Sequence, residues 1–260
     1  MNTNMTRRTL LAASAGLAAG ASAAEQAQAN RSLYEMRIYR LRNGAENQRQ
    51  RTVAFLKAYV PLVKAAGAGP VGAFSCSIGE DTPYLMVLTA YPGYAGLDAC
   101  LNKLHANPDY QKARAEWYAG GKPYEREQAS LLLAFPGFPA MTPPPVDGRK
   151  TNRLFELRSY ELETAAGVER KIKMFQEGET AIFVRAGMLP VFFGETVFGA
   201  NLPSVVYMLG FDDLSAREAL WRKSSADQVW KTLGEQYTDV ATVPKLSISF
   251  LTPLPFSDVR

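Results

Sequence analysis

Two cysteines, Cys76 and Cys100, and one histidine, His105, are all the soft metal ligands in 260 residues. A single imidazole excludes a multi-histidine metal centre, and neither a Cys-x-x-Cys pair nor another zinc-ligand spacing is present. Glycine-rich phosphate loops, a nucleophile elbow and zinc-protease spacings are missing as well. Ser224 and Ser225 have no histidine near them in sequence, which leaves a serine triad without support. Charge of one sign is also scarce, with 29 basic and 25 acidic residues giving +4. So weak a balance argues against nucleic acid as a partner. The one long apolar run, residues 10–24, is too short and too rich in alanine and glycine to be a stable membrane anchor.

That run is the centre of what reads as a targeting segment over residues 1–29. Arg7 and Arg8 form its positive start, and small residues at 21–23 and 27–29 offer cleavage sites. Thr6-Arg7-Arg8-Thr9-Leu10-Leu11 resembles the twin-arginine export signal, whose adjacent arginines are read by a receptor. An ordinary secretory signal, with the two arginines as its basic start, is the alternative. Either predicts a periplasmic or secreted protein, and no cysteine stands near the cleavage sites to carry a lipid. Removing Arg7, Arg8 and Glu25 leaves 27 basic and 24 acidic residues, a charge of +3. An exported chain is free to form a disulfide between Cys76 and Cys100, and two buried, independent thiols fit the sequence equally well.

The strongest pattern is a repeat. Tyr34-Glu-Met-Arg-Ile-Tyr-Arg-Leu41 returns as Phe155-Glu-Leu-Arg-Ser-Tyr-Glu-Leu162. Gly67 and Gly187, Pro70 and Pro190, and Pro83 and Pro203 each stand 120 residues apart, while Arg37/Arg158 and Tyr39/Tyr160 stand 121 apart. Turn-forming residues held at a fixed offset mark a duplicated unit, with one insertion or deletion between strand and helix.

In the first half, residues 33–41 alternate as a strand, 45–66 carry apolar residues at helical spacing, and 71–78 and 84–90 read as a hairpin. A helical stretch over 96–118, interrupted at Asn107-Pro108, and a strand at 129–135 complete the unit. The second half repeats the order at 154–162, 165–185, 189–198, 204–211, 215–237 and 245–251. Each half is thus a βαββαβ unit of the ferredoxin-like, α+β kind. The organisation is a signal at 1–29, a first repeat at 30–140, a proline-rich linker at 141–150 and a second repeat at 151–260. Each unit lays its helices on one sheet face, so the two open sheet faces are expected to meet.

Alternation puts Tyr34, Met36 and Ile38 on one face of the first strand and Glu35, Arg37 and Tyr39 on the other. Glu156, Arg158 and Tyr160 repeat the polar row. Assigning the apolar set to the helices leaves both polar rows between the sheets. Two readings of those rows stand. They line a pocket in which arginine binds an acid or carbonyl and tyrosine or glutamate orients it or exchanges a proton. Alternatively they form an interior salt-bridge lattice that needs no ligand, because Glu and Arg at i and i+2 are same-face neighbours. Aromatic residues on the later strands, Phe74, Phe192, Phe193, Tyr84 and Tyr207 among them, fit plain core or the walls of an apolar cavity.

The opening Glu-x-Arg-x-Tyr of each half, its following turn and helix, and the later strands at 84–88 and 205–209 resemble the NIPSNAP domain family. The resemblance covers nearly all of residues 33–252. It implies a dimeric α/β barrel built here from two repeats in one chain. Its wider superfamily includes small-molecule monooxygenases, lactone isomerases and haem enzymes, so it implies no single reaction. On this reading the chain binds a small organic molecule between its sheets and acts as a cofactor-independent enzyme or as a non-catalytic assembly protein. The candidate ligand contacts are Glu35, Arg37, Tyr39, Glu156, Arg158 and Tyr160. No cofactor is expected. Haem on His105 is the alternative, and a homo-oligomer is compatible with the family.

Overall fold

The structure, a computed structural model, describes residues 31–146, 148 and 152–260. The expected export segment lies outside the described residues, and so does part of the expected linker.

The first half runs β1 (Leu33–Arg40), α1 (Glu46–Ala66), β2 (Val71–Ile78), β3 (Tyr84–Tyr91), α2 (Gly93–Ala106), α3 (Pro108–Ala119) and β4 (Arg126–Ala134). The second runs β5 (Leu154–Glu161), α4 (Ala165–Met174), a π-helical turn (Phe175–Glu179), α5 (Thr180–Ala186), β6 (Leu189–Phe198), β7 (Ser204–Phe211), α6 (Leu214–Ser225), α7 (Val229–Gln236) and β8 (Lys245–Pro253). The break between α2 and α3 has a local cause. Asn107 accepts hydrogen bonds from the amides of Asp109 and Tyr110 at 2.9 and 3.2 Å, and Pro108 takes the first helical turn. That is an N-cap followed by a residue with no amide to satisfy. Gly67 and Gly187, with φ of 120° and 104°, end the corresponding helices of the two halves.

The strands close into one antiparallel barrel in the order β1-β3-β2-β8-β5-β7-β6-β4. Each half contributes four neighbouring strands, and the closing strand of each pairs with the other half, β8 with β2 and β4 with β6. A closed barrel removes both free edges, which accounts for two units fused in one chain. Helices cover the outside of each half. One end of the interior is filled by Tyr34 against Phe192 and Phe74 against Phe155, with ring centroids 5.3 and 5.4 Å apart. Met141 and Val259 are buried in the same cluster. The residues after β4 therefore strap across the barrel, with the Thr142 amide at the start of the proline-rich linker bonded to the Val191 carbonyl at 2.8 Å.

Cys76 belongs to the barrel interior and Cys100 to the helix side of the sheet. Both thiols are free and buried. Lying on opposite faces of one sheet, they are independent residues.

Gly199 opens the loop between β6 and β7 with φ +149°, and a Cβ there would lie 2.4 Å from Ser130 Oγ and 3.3 Å from Ser130 Cα. Both the backbone conformation and the close approach require glycine. Gly199→Ala is expected to lower stability by about 1–3 kcal/mol, read from urea denaturation.

Candidate functional site

The two polar rows face the opposite way from the sequence expectation. Tyr34, Met36 and Ile38 belong to the barrel interior, whereas Tyr39 and Tyr160 belong to the clusters packed under the helices. Glu35, Arg37 and Tyr39, and Glu156, Arg158 and Tyr160, therefore lie between sheet and helices, outside the barrel. Alternation shows which residues share a face, but in a barrel both faces are covered and the pattern does not say which one is inside. The apolar set fills the closed interior. The charged set takes the side where the helix layer leaves gaps to water.

In the first half such a gap is a cleft of about 210 Å³ between β1 and helices α1 to α3. Glu35, Arg37, Tyr39 and Glu127 line its sheet side, and Phe55, Tyr59, Tyr110 and Trp117 its helix side. Arg37 donates to Glu35 at 2.5 Å and to Glu127 at 2.6 Å. Glu127 also accepts from the Tyr124 hydroxyl at 3.0 Å, and Glu35 from Tyr91 at 3.4 Å. Burial alone would lower the Arg37 pKa, but bonding to Glu35 and Glu127 outweighs it and fixes the guanidinium as a cation. Burial pushes the Tyr59 phenol up to about 12 and raises those of Tyr39 and Tyr91 further. These tyrosines are protonated donors at neutral pH. The Arg37 side chain keeps 34% of its surface in water, so the cleft is polar, charged and reachable.

The same place in the second half is sealed. Trp221, which stands 120 residues after Leu101, lies over Arg158 with the guanidinium carbon 3.9 Å from the ring centre. Glu156, fully buried, accepts from Arg217 at 2.6 and 3.2 Å, from the Trp221 indole at 3.1 Å, and from Arg158. Burial opposes its ionisation, yet Arg217 and Arg158 hold its carboxyl below the usual range. Arg158 also donates to Tyr160 at 3.2 Å, and the Tyr160 and Tyr207 hydroxyls meet at 2.5 Å. One duplicated row thus lines a cleft and the other forms a closed lattice.

The sequence reading missed Glu127, Arg217 and Trp221. Its strand from residue 129 begins after Glu127, whereas β4 starts at Arg126 and pairs Glu127 with Tyr39. The 120-residue offset pairs Leu101 with Trp221 and is the signal that marks a difference between the copies. His105 lines the edge of the cleft, exposed and 5.7 Å from the Tyr110 ring centre. Pockets for drug-sized ligands begin near about 300 Å³, and a porphyrin, larger still, does not fit this cleft as it stands. Among the described residues no three His, Cys, Asp or Glu side chains converge as a metal site. No helix among them is long and apolar enough to cross a membrane.

Comparison with known proteins bears on fold and family. The chain is similar to a protein from Fusobacterium nucleatum provisionally named a monooxygenase, at 10% identity over 86% of this chain and 93% of that one, with a TM-score of 0.58. A protein from Lactobacillus acidophilus, also provisionally named a monooxygenase, is 13% identical over 86% and 94%, with a TM-score of 0.55. At these identities the likeness is one of fold. A NIPSNAP domain protein from Burkholderia xenovorans is 25% identical over 40% of this chain and 96% of its own, with a TM-score of 0.35. No curated protein matches. The family model described as NIPSNAP matches residues 34–136 and again residues 155–258, and the chain therefore belongs to the NIPSNAP family, carrying its domain twice.

Proposed function

We propose that this is an exported protein that binds a compact organic molecule in the sheet-to-helix cleft of its first half. The carrying observation is the divergence of the copies, since a lattice needed only for folding would be sealed in both, yet Leu101 leaves open the space that Trp221 fills. Arg37 and the protonated phenols of Tyr39 and Tyr59 suit a carbonyl or carboxyl oxygen. Phe55 and Trp117, stacked 4.1 Å apart and parallel within 1°, suit a flat apolar body. Glu35, held beside Arg37, supplies the base that a cofactor-independent proton transfer would use. The provisional monooxygenase names of two fold relatives agree with a small-molecule site and do not select a reaction. Export is supported by Arg7-Arg8 and the apolar run that follows. The second row favours the structural reading for its own half, because every polar group of Glu156 is spoken for.

Native mass spectrometry on protein taken from the periplasmic fraction of its own host tests this reading. Wild type is expected to carry a bound small-molecule mass. Arg37→Ala and Leu101→Trp, the latter installing the residue of the second half, are expected to lose it while the thermal midpoint moves by only a few degrees. A mass retained in both variants would place the ligand elsewhere.

A further inference from the structure

A second cavity, of about 300 Å³, opens at the end of the barrel opposite the aromatic plug. Its floor is apolar, from Met36, Leu157 and Val206, and its wall carries the hydroxyls of Ser130, Ser159, Ser204, Ser247 and Ser249 with the amide of Gln128. Equivalent positions of the two halves face each other here, and at four of them the second half is smaller. Ile38, Tyr84, Met86 and Gln128 of the first half answer to Ser159, Ser204, Val206 and Ser247 of the second. The cavity therefore lies where the second copy carries less side-chain volume on its inner face, while its outer face carries Trp221 where the first has Leu101.

The chemistry of the wall selects the occupant. Among the described residues Arg40 is the one cation lining the cavity, and it is committed. Its guanidinium donates to the Glu80 and Asp81 carbonyls at 2.6 and 2.9 Å and to Gln128 Oε1 at 2.9 Å. Glu80 adds an exposed carboxylate at the rim, which disfavours anions. Ser204 and Thr196 bond each other at 2.9 Å. Ser130, Ser159 and Ser247 make no side-chain hydrogen bond among the described residues and remain available to a guest. Neutral donors and acceptors above an apolar floor match a neutral, partly apolar molecule.

We propose that the barrel mouth is a binding site, separate from the cleft, for an uncharged compound that joins a hydroxyl or carbonyl group to an apolar ring. Isothermal titration with 2-naphthol and 2-naphthoate tests it, the two ligands being compared in Arg37→Ala protein so that the carboxylate does not report the cleft. Saturable binding of 2-naphthol is expected, with 2-naphthoate weaker by at least about tenfold. Ser159→Ile and Ser247→Gln, each placing the side chain found at the equivalent point of the first half, are expected to weaken 2-naphthol by at least about tenfold with little change in thermal midpoint. Two variants guard against the misfolding of either. Arg37→Ala, which alters the cleft alone, is expected to leave 2-naphthol binding unchanged. No saturable binding, equal affinity in both filled variants, equal affinity for the naphthoate, or loss on Arg37→Ala would overturn the proposal. The cleft is judged separately, by the mass it retains.

Discussion

Glu156→Ala is expected to lower the stability of the fold by about 3–5 kcal/mol, the range for removing one partner from a buried charged network. The carboxylate is fully buried and takes hydrogen bonds from Arg158, Arg217 and Trp221. Its loss leaves Arg158, 11% exposed, without a carboxylate and Arg217, 14% exposed, with Glu218 alone. Arg37→Ala in the first half is the control, expected to cost less, about 1–2 kcal/mol, because Glu127, 28% exposed, regains water from the cleft while Glu35, 8% exposed, keeps the Tyr91 hydroxyl as a donor. The pH dependence has a definite sign. The Glu156 carboxyl is held below its unfolded value of about 4.3, so its contribution is complete above that pH and is lost as pH falls through the folded value. Urea denaturation should therefore show a gap between wild type and Glu156→Ala that is constant from neutral pH down to about 5 and narrows in acid. A gap below about 1 kcal/mol at pH 7 would mean that the two arginines find other partners.

The architecture was legible because its signals are local and occur twice. Gly67 and Gly187 stop helices, Asn107-Pro108 breaks one, and alternation marks the strands, so the βαββαβ order follows from the chain alone. Residues 189–198 and 204–211 even have the bounds of β6 and β7. Which face of a strand becomes the inside was not legible. Met36 and Ile38 are apolar enough for either covered side, and the choice depends on closure through β2–β8 and β4–β6, pairings between strands far apart in sequence. The site was half legible for the same reason. Glu35, Arg37 and Tyr39 do line a cavity, but its helix wall and Glu127 arrive from elements that alternation does not connect to β1. The difference between the copies rests on Trp221 and Arg217, large side chains whose effect shows only once α6 is laid on the sheet.

Lys171→Ala is the second large expected effect, and its deficit also narrows in acid, although the carboxyl concerned, Glu179, has its pKa moved in the opposite direction to that of Glu156. Lys171 and Glu179 pair at 2.9 Å with side chains 3% and 4% exposed, and the ammonium sits 5.2 and 5.6 Å from the Phe175 and Tyr160 ring centres. Among the described residues the π-helical turn that ends at Glu179 has no counterpart in the first half. In the first half the helix runs without such a turn from Glu46 to Ala66, and the buried Thr52 on it bonds the Pro123 carbonyl at 3.0 Å. Burial already raises the Glu179 pKa, with Lys171 opposing it. Without the lysine a buried carboxylate stands alone at neutral pH, and a loss of about 3–5 kcal/mol is expected. A raised folded pKa means that stability is greatest below the unfolded value of about 4.3 and falls as pH rises through the folded one. The deficit of Lys171→Ala relative to wild type should therefore shrink on acidification from pH 7 toward 5, as the carboxyl takes up a proton. Replacing both partners, Lys171→Met with Glu179→Leu, removes both charges while keeping the volume, and should bring the thermal midpoint back to that of wild type or above it. A double variant as unstable as the single one would show that the pair does more than neutralise itself, and would direct attention to the hydrogen bonding of the π-helical turn.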